Sequence, residues 1–219
     1  MTIELVALDM AGTTVQESGA VYRALADAVA AAAGRPVPEA DIRRWMGADK
    51  REAIAALLAG APAEVETVFD DFRARLAAAY EAEPPTALPG VESALAELRA
   101  RGVQVALTTG FSRDVAEGIL DVLGWQVGAA IDALVTADEV AAGRPAPYMI
   151  FHAMEATGVL RADAVLTAGD TILDLRAGTN AGARYVLGVL TGAQDAETLG
   201  RERHTHLLPS VADIPYLLA

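Results

Sequence analysis

The sequence contains no cysteine, which excludes disulfides, thiolate metal sites and cysteine nucleophiles. Lysine is nearly absent too: of 17 basic residues, only Lys50 is a lysine. No apolar run approaches the roughly 20 residues needed to cross a bilayer. No basic segment precedes an apolar one at the N-terminus, so no secretory leader is expected and a cytoplasmic location is the simplest expectation. Positive charge is scarce overall, with 17 basic against 30 acidic residues and a net charge of −13. That balance argues against nucleic acid or an anionic membrane as a partner. It leaves room for a small anionic substrate, because a local cluster of positive groups can override the global field.

What is present is a globular composition. Hydrophobic residues make up 53% and charged residues 21% of 219 positions, enough for one main domain with a smaller inserted one. Continuous apolar runs recur at "ELVALD", "VQVALTT" from Val103, residues 131–138, "AVLTAGD" from Ala164 and "RYVLGVLTG" from Arg184. Runs of this kind suit strands covered on both faces. Helical stretches lie between them at 91–101, 112–123, 147–157 and 172–180, with Pro89-Gly90 before the first and Gly102 and Gly158 after two of them. The alternation predicts an α/β fold, a Rossmann-like doubly wound parallel sheet core whose ligands bind at the carboxyl ends of the strands.

One segment breaks the pattern. Residues 15–86 read as helix without a convincing strand, in runs near 21–33, 39–45, 51–58 and 64–82, and the segment closes on the hinge-like "EPPTALPG". The expected division is therefore a core of residues 1–14 and 87–219, with an inserted all-helical cap at 15–86.

Four clusters of polar residues fall at four predicted strand ends. The first, in "LVALDMAGTTV", is Asp9 with Ala11, Gly12, Thr13 and Thr14. The second is "TTGFSR", where Thr108, Thr109 and Gly110 lead into a helix whose N-terminus can face an anion. The third places Arg144 in "AAGRPAPYM". The fourth, "AGDTILDL", holds Asp170 and Thr171, with Asp174 one turn later. Together they form a set for phosphoryl transfer. Asp9 can attack phosphorus to give an aspartyl phosphate. Asp9, the Ala11 carbonyl and Asp170 can hold a hard divalent ion, Mg2+ above all, with Thr171 and Asp174 one layer behind it. Arg144 and Thr108 can stabilise charge on the moving group, and Gly12, Thr13, Thr109 and Gly110 can contact the phosphate.

The four clusters resemble the motifs of the haloacid dehalogenase superfamily of hydrolases, and in detail its phosphonatase (phosphonoacetaldehyde hydrolase) branch. The first motif of that branch reads like "DMAGTTV", with Ala11 in place of the usual second acid. The third uses arginine in a "GRPxPxM" context, as at 143–149, and the fourth is similar to 169–182. The cap of that branch carries an "MGxxK" segment matched by Met46, Gly47 and Lys50. The resemblance implies an Mg2+-dependent hydrolase, with Met46 at the substrate and Lys50 as a Schiff-base residue reaching over Asp9. It also implies a homodimer pairing through the caps. Two positions depart from the branch: Ala53 stands where it has a histidine, and Trp45 where it has a proline.

The Ala11–Lys50 combination has a chemical logic. In a phosphatase the second acid protonates the leaving oxygen. A carbon–phosphorus bond leaves electrons on carbon, and a lysine iminium can delocalise them, so the second acid becomes dispensable for departure. Two other readings stay open: a phosphomonoesterase acting on a small acid such as phosphoglycolate, and an inactive binder of phosphate ligands. His152, His204 and His206 lie outside the clusters and are expected to be structural or at the surface, while Trp125 and Tyr148 are expected to pack.

Overall fold

The computed structural model describes residues 2–58 and 64–219. Its centre is a six-stranded, wholly parallel sheet. β1 (Leu5–Asp9) is buried along its whole length, as its unbroken apolar run requires of a strand covered on both faces. It pairs with β4 (Gln104–Thr109) on one side and β6 (Val165–Gly169) on the other. β5 (Ala133–Thr136) extends the sheet beyond β4, while β7 (Tyr185–Val189) and β8 (His206–Leu208) extend it beyond β6. The strand order reverses direction about β1, so the carboxyl end of that strand is the switch point where a parallel sheet opens a crevice. Asp9 stands there in register with Thr108.

Helices α5 (Val91–Ala100), α6 (Arg113–Leu123), α7 (Tyr148–Thr157) and α8 (Ile172–Ala181) connect the strands. Each sends its apolar residues onto the sheet, as Ala116, Ile119 and Leu120 of α6 do at i, i+3 and i+4. Two short helices, α9 (Ala196–Leu199) and α10 (Ile214–Leu217), complete the edge. Trp125 packs in the core as expected, at 5% exposure, and its indole N–H donates to Glu92. Tyr148 corrects the expectation of packing. It opens α7 on the helix's outer side and is 44% exposed, while Met149 and Ile150 take the buried side.

The chain leaves β1 through a tight turn and enters a helical insert. Val15–Gln16 (β2) pairs antiparallel with Thr86–Ala87 (β3), so entry and exit run side by side. Between them lie α1 (Ala20–Ala33), α2 (Glu39–Arg43), α3 (Lys50–Leu57) and α4 (Val65–Ala82). α1 and α4 pack through Val21, Leu25, Ala28 and Val29 against Val68, Phe69, Phe72 and Leu76, all buried. The helical spacing of these residues gives each helix one apolar face. Arg73 of α4 forms an ion pair with Asp114 of α6, joining insert and core at the surface. Among the described residues, no helix is long and apolar enough to cross a membrane.

Candidate active site

The four sequence clusters converge at the carboxyl end of β1. Asp9 is 7% exposed, and the guanidinium of Arg144 donates to its Oδ1 at 2.7 Å. The same guanidinium reaches Asp174 Oδ1 from Nε at 2.9 Å, and donates from Nη2 to the Thr108 carbonyl and hydroxyl, both at 2.9 Å. Arg144 is thus fully enclosed and fully paired, as a buried cation must be. Thr108 holds the arginine in place. Thr109, next along the strand, accepts from the Phe111 amide at 3.2 Å and has its hydroxyl proton to offer.

The turn after Asp9 is closed by its own backbone. The amides of Thr13, Thr14 and Val15 all donate to the Met10 carbonyl, and the Gly12 amide donates to Val15. Thr13 Oγ1 donates to Asp170 Oδ1 at 3.3 Å, and Thr191 Oγ1 donates to the Gly12 carbonyl at 2.7 Å. The polar groups of Gly12 and Thr13 are therefore engaged within the protein. They shape the loop and steady Asp170.

Asp170 is 3% exposed, with Oδ2 accepting from the Ala193 amide at 2.5 Å. Burial holds its carboxyl well above the usual carboxylate range, and the neighbouring Asp9 and Asp174 add to the shift. Burial likewise pushes Asp9 up to about 6, against the pull of Arg144. Asp174 is occupied on both oxygens, by Arg144 and by the Thr171 amide and hydroxyl. Three buried acids therefore share one guanidinium.

That excess of negative charge fits a divalent cation. Among the described residues nothing donates to the Ala11 carbonyl, which leaves it open as a ligand beside Asp9 and Asp170. No three His, Cys, Asp or Glu side chains converge as a metal cage among the described residues. Two carboxylates and a carbonyl form the sparser donor set of an ion that keeps water and phosphate ligands, as Mg2+ does.

The insert closes over this centre through its 46–50 loop. Gly47 has φ +79, and a Cβ there would stand 2.5 Å from Thr171 Oγ1. A Cβ on Gly110 would stand 2.8 Å from the Ala48 carbonyl. Only glycine permits both approaches. Asp49 then caps α3 by accepting from the Glu52 amide at 2.9 Å, which makes Lys50 the first helical residue. Lys50 is 4% exposed; its Nζ donates to the Ala48 carbonyl at 2.8 Å and lies 5.8 Å from the centre of the Phe111 ring. Burial lowers its ammonium to about 8, opposed by Asp49 and Asp9 and assisted by Arg144. Its place at a helix N-terminus acts in the same lowering direction. One turn on, Ala53 is wholly buried in the apolar core of the insert.

A cavity of about 220 Å3 opens on the Asp170 side of the centre, lined among others by Gly12, Glu17, Tyr22, Met46 and Asp170. Larger clefts of about 650 and 480 Å3 lie away from the strand ends, one along α5 and one between α4 and α6. Met46 is thus placed in the lining of the smaller cavity. Glu17 and Tyr22 were not anticipated from sequence. The only available signal was an acid two residues before a helix-opening glycine, which reads as a cap.

A buried aspartate at a switch point, an arginine paired with it and a second buried acid meet at the strand ends of a Rossmann-like core. The chain belongs to the haloacid dehalogenase-like hydrolases, whose pattern matches residues 3–182, and it is a hydrolase of that family. Its similarity to a particular branch is equally direct. It is 36% identical over 132 residues to a phosphonoacetaldehyde hydrolase of Parabacteroides distasonis, covering 60% of this chain and 49% of that protein. It is 29% identical over 212 residues to a phosphonoacetaldehyde hydrolase of Bacillus cereus, covering 89% of this chain and 78% of that one. The fold superimposes on a phosphonoacetaldehyde hydrolase-like protein from Oleispira antarctica with a TM-score of 0.85 at 21% identity, over 100% of this chain and 92% of that chain.

Proposed function

We propose that this hydrolase cleaves the carbon–phosphorus bond of phosphonoacetaldehyde or a closely related small phosphonate aldehyde, with the helical insert acting as its cap. The observation that carries the reading is the Lys50 amine. It is the only lysine of the chain, enclosed at the closing loop with its ammonium lowered to about 8, where Ala11 replaces an acid. The names of the similar proteins support the same substrate class.

In this reading the neutral Lys50 amine adds to the aldehyde, a proton is taken up from solvent and water leaves, giving an iminium; the proton is returned when the iminium is finally hydrolysed. Asp9 attacks phosphorus, the carbon–phosphorus bond breaks, and its electron pair passes into the iminium to form an enamine. Protonation and hydrolysis of the enamine release acetaldehyde and restore Lys50, while water cleaves the Asp9 phosphate. Arg144 keeps Asp9 aimed and balances charge on the moving group, and Thr109 offers its hydroxyl to a phosphoryl oxygen. Asp9, Asp170 and the Ala11 carbonyl would hold Mg2+, which when bound supplies charge neutralisation at the phosphoryl oxygens. The test is phosphate release from phosphonoacetaldehyde with Mg2+ by the native protein and by Lys50→Arg, together with borohydride trapping of the iminium. Release and a trapped adduct, both lost in the variant, are expected. Undiminished release by Lys50→Arg would refute the imine route.

A further inference from the structure

We propose that Glu17 selects substrates by the charge of their tail, admitting a neutral two-carbon tail and rejecting one that ends in a carboxylate. The inference rests on the phosphonatase reading of the same site and sharpens it. Its first support is position. Glu17 lines the cavity of about 220 Å3 that also takes in Gly12, Tyr22, Met46 and Asp170. At about 30 Å3 per water-sized group, that space accepts roughly seven such groups, the size of a phosphonate with a two-carbon tail.

The second support is rigidity. Both carboxylate oxygens of Glu17 are tied to the start of α1, Oε1 accepting from the Gly19 amide at 3.1 Å and Oε2 from the Val21 amide at 2.8 Å. The acid cannot swing out of the way without uncapping the helix. A third support is the charge of the lining, since Arg23 and Lys50, the cations within electrostatic reach of Glu17, both stand outside it. None of the residues lining the cavity is basic, and its two acids are Glu17 and Asp170. The cation nearest along α1, Arg23, is exposed and donates to the Ser18 carbonyl. Lys50 lies within electrostatic reach of Glu17, and the proposed chemistry needs that amine neutral. An incoming carboxylate would therefore meet a fixed acid and no cation within the lining to pair with, while an aldehyde or alkyl tail would meet no such cost. Sequence alone shows a polar residue in a linker at this position; the fold sets it in the lining of the cavity.

The experiment compares two ligands that share a phosphonate head and two carbons: ethylphosphonate, with a neutral tail, and phosphonoacetate, with a carboxylate. Their affinities for the Mg2+-loaded protein are measured by calorimetry, which does not depend on turnover. The native protein should bind ethylphosphonate at least about tenfold more tightly, a difference of about 1.4 kcal/mol. In Glu17→Gln, which keeps the side chain's length and one acceptor oxygen, that preference should fall by about tenfold. A purely capping role would lower the thermal midpoint of the variant and leave the preference intact. Equal affinities in the native protein overturn the proposal whether or not the variant folds, and an undiminished preference in Glu17→Gln overturns it by assigning the selection to other acids. Failure of the phosphonatase reading shows separately, as absence of phosphate release from phosphonoacetaldehyde by the native protein.

Discussion

The guanidinium of Arg144 joins Asp9 to Asp174, at 2.7 Å and 2.9 Å, with no other side-chain cation in contact with either acid among the described residues. Asp9, its charge partner and the acid behind them form one connected unit. Removing the middle member strands two buried carboxylates, and breaking such a pair typically costs about 3–5 kcal/mol. Arg144→Ala should therefore lower both stability and activity, seen as a fall in the thermal midpoint and loss of phosphate release. Arg144→Lys should recover part of the stability but little of the activity, because an ammonium cannot reproduce the three-way fork.

Asp9→Asn preserves the shape of the nucleophile and an acceptor for Arg144 while removing its nucleophilicity. The fold should persist by circular dichroism, and phosphate release should vanish for every substrate. Residual turnover above a background of about one part in ten thousand would argue against an aspartyl phosphate.

The pH profile follows from Lys50. Its ammonium is lowered by burial to about 8, so the amine is neutral above that value and protonated below it. Imine formation needs the neutral form, and its fraction falls about tenfold per pH unit below the folded value. The kcat/KM for phosphonoacetaldehyde should rise from about pH 6 and level off above about pH 8. A profile that falls over this range would contradict the role given to the amine.

Chelation tests the acid cluster. Mg2+ should raise the thermal midpoint, because binding only the folded state stabilises it by about 2.7 kcal/mol at a hundredfold excess over Kd. Removing the ion should abolish phosphate release. Asp170→Asn should weaken the Mg2+-dependent shift in midpoint, with the concentration required rising by about ten- to a hundredfold.

Gly47 tests closure. Ala at φ +79 carries a left-handed backbone cost of about 1–2 kcal/mol, and its Cβ would strike Thr171 Oγ1. Gly47→Ala should reduce kcat/KM by about ten- to a hundredfold while lowering the thermal midpoint by about 2–8 °C. A loss confined to stability would show that the 46–50 loop does not need this close approach for turnover.

Much of this site was legible in the sequence because parallel strands buried on both faces announce themselves as unbroken apolar runs. β1, β4, β5, β6 and β7 each lie within such a run, and the residues at or just beyond the ends of β1, β4 and β6 meet Arg144 from the loop beyond β5. The shorter elements gave no such signal. β2 and β3 are two residues each, and β8 is a three-residue strand whose residues are all half-buried. Tyr148 misled because a helix-opening tyrosine beside two apolar residues looks buried until the helix phase is known. The duty of Arg144 as a bridge was equally hidden: residues 9, 108, 144 and 174 become neighbours only through the sheet order. Glu17 stayed invisible for the same reason, its sequence context explaining a helix cap fully without reference to the cavity.

The enclosure of Lys50 also has a practical side. Apart from the chain's α-amino group, this side chain is the protein's whole stock of primary amine, and it is shut beneath the 46–50 loop. An acylating reagent too bulky for the closed cavity can reach it only while that loop is lifted. The rate of acylation at Lys50, followed by peptide mass so that the α-amino group is counted apart, then serves as a stopwatch for opening in the unaltered protein.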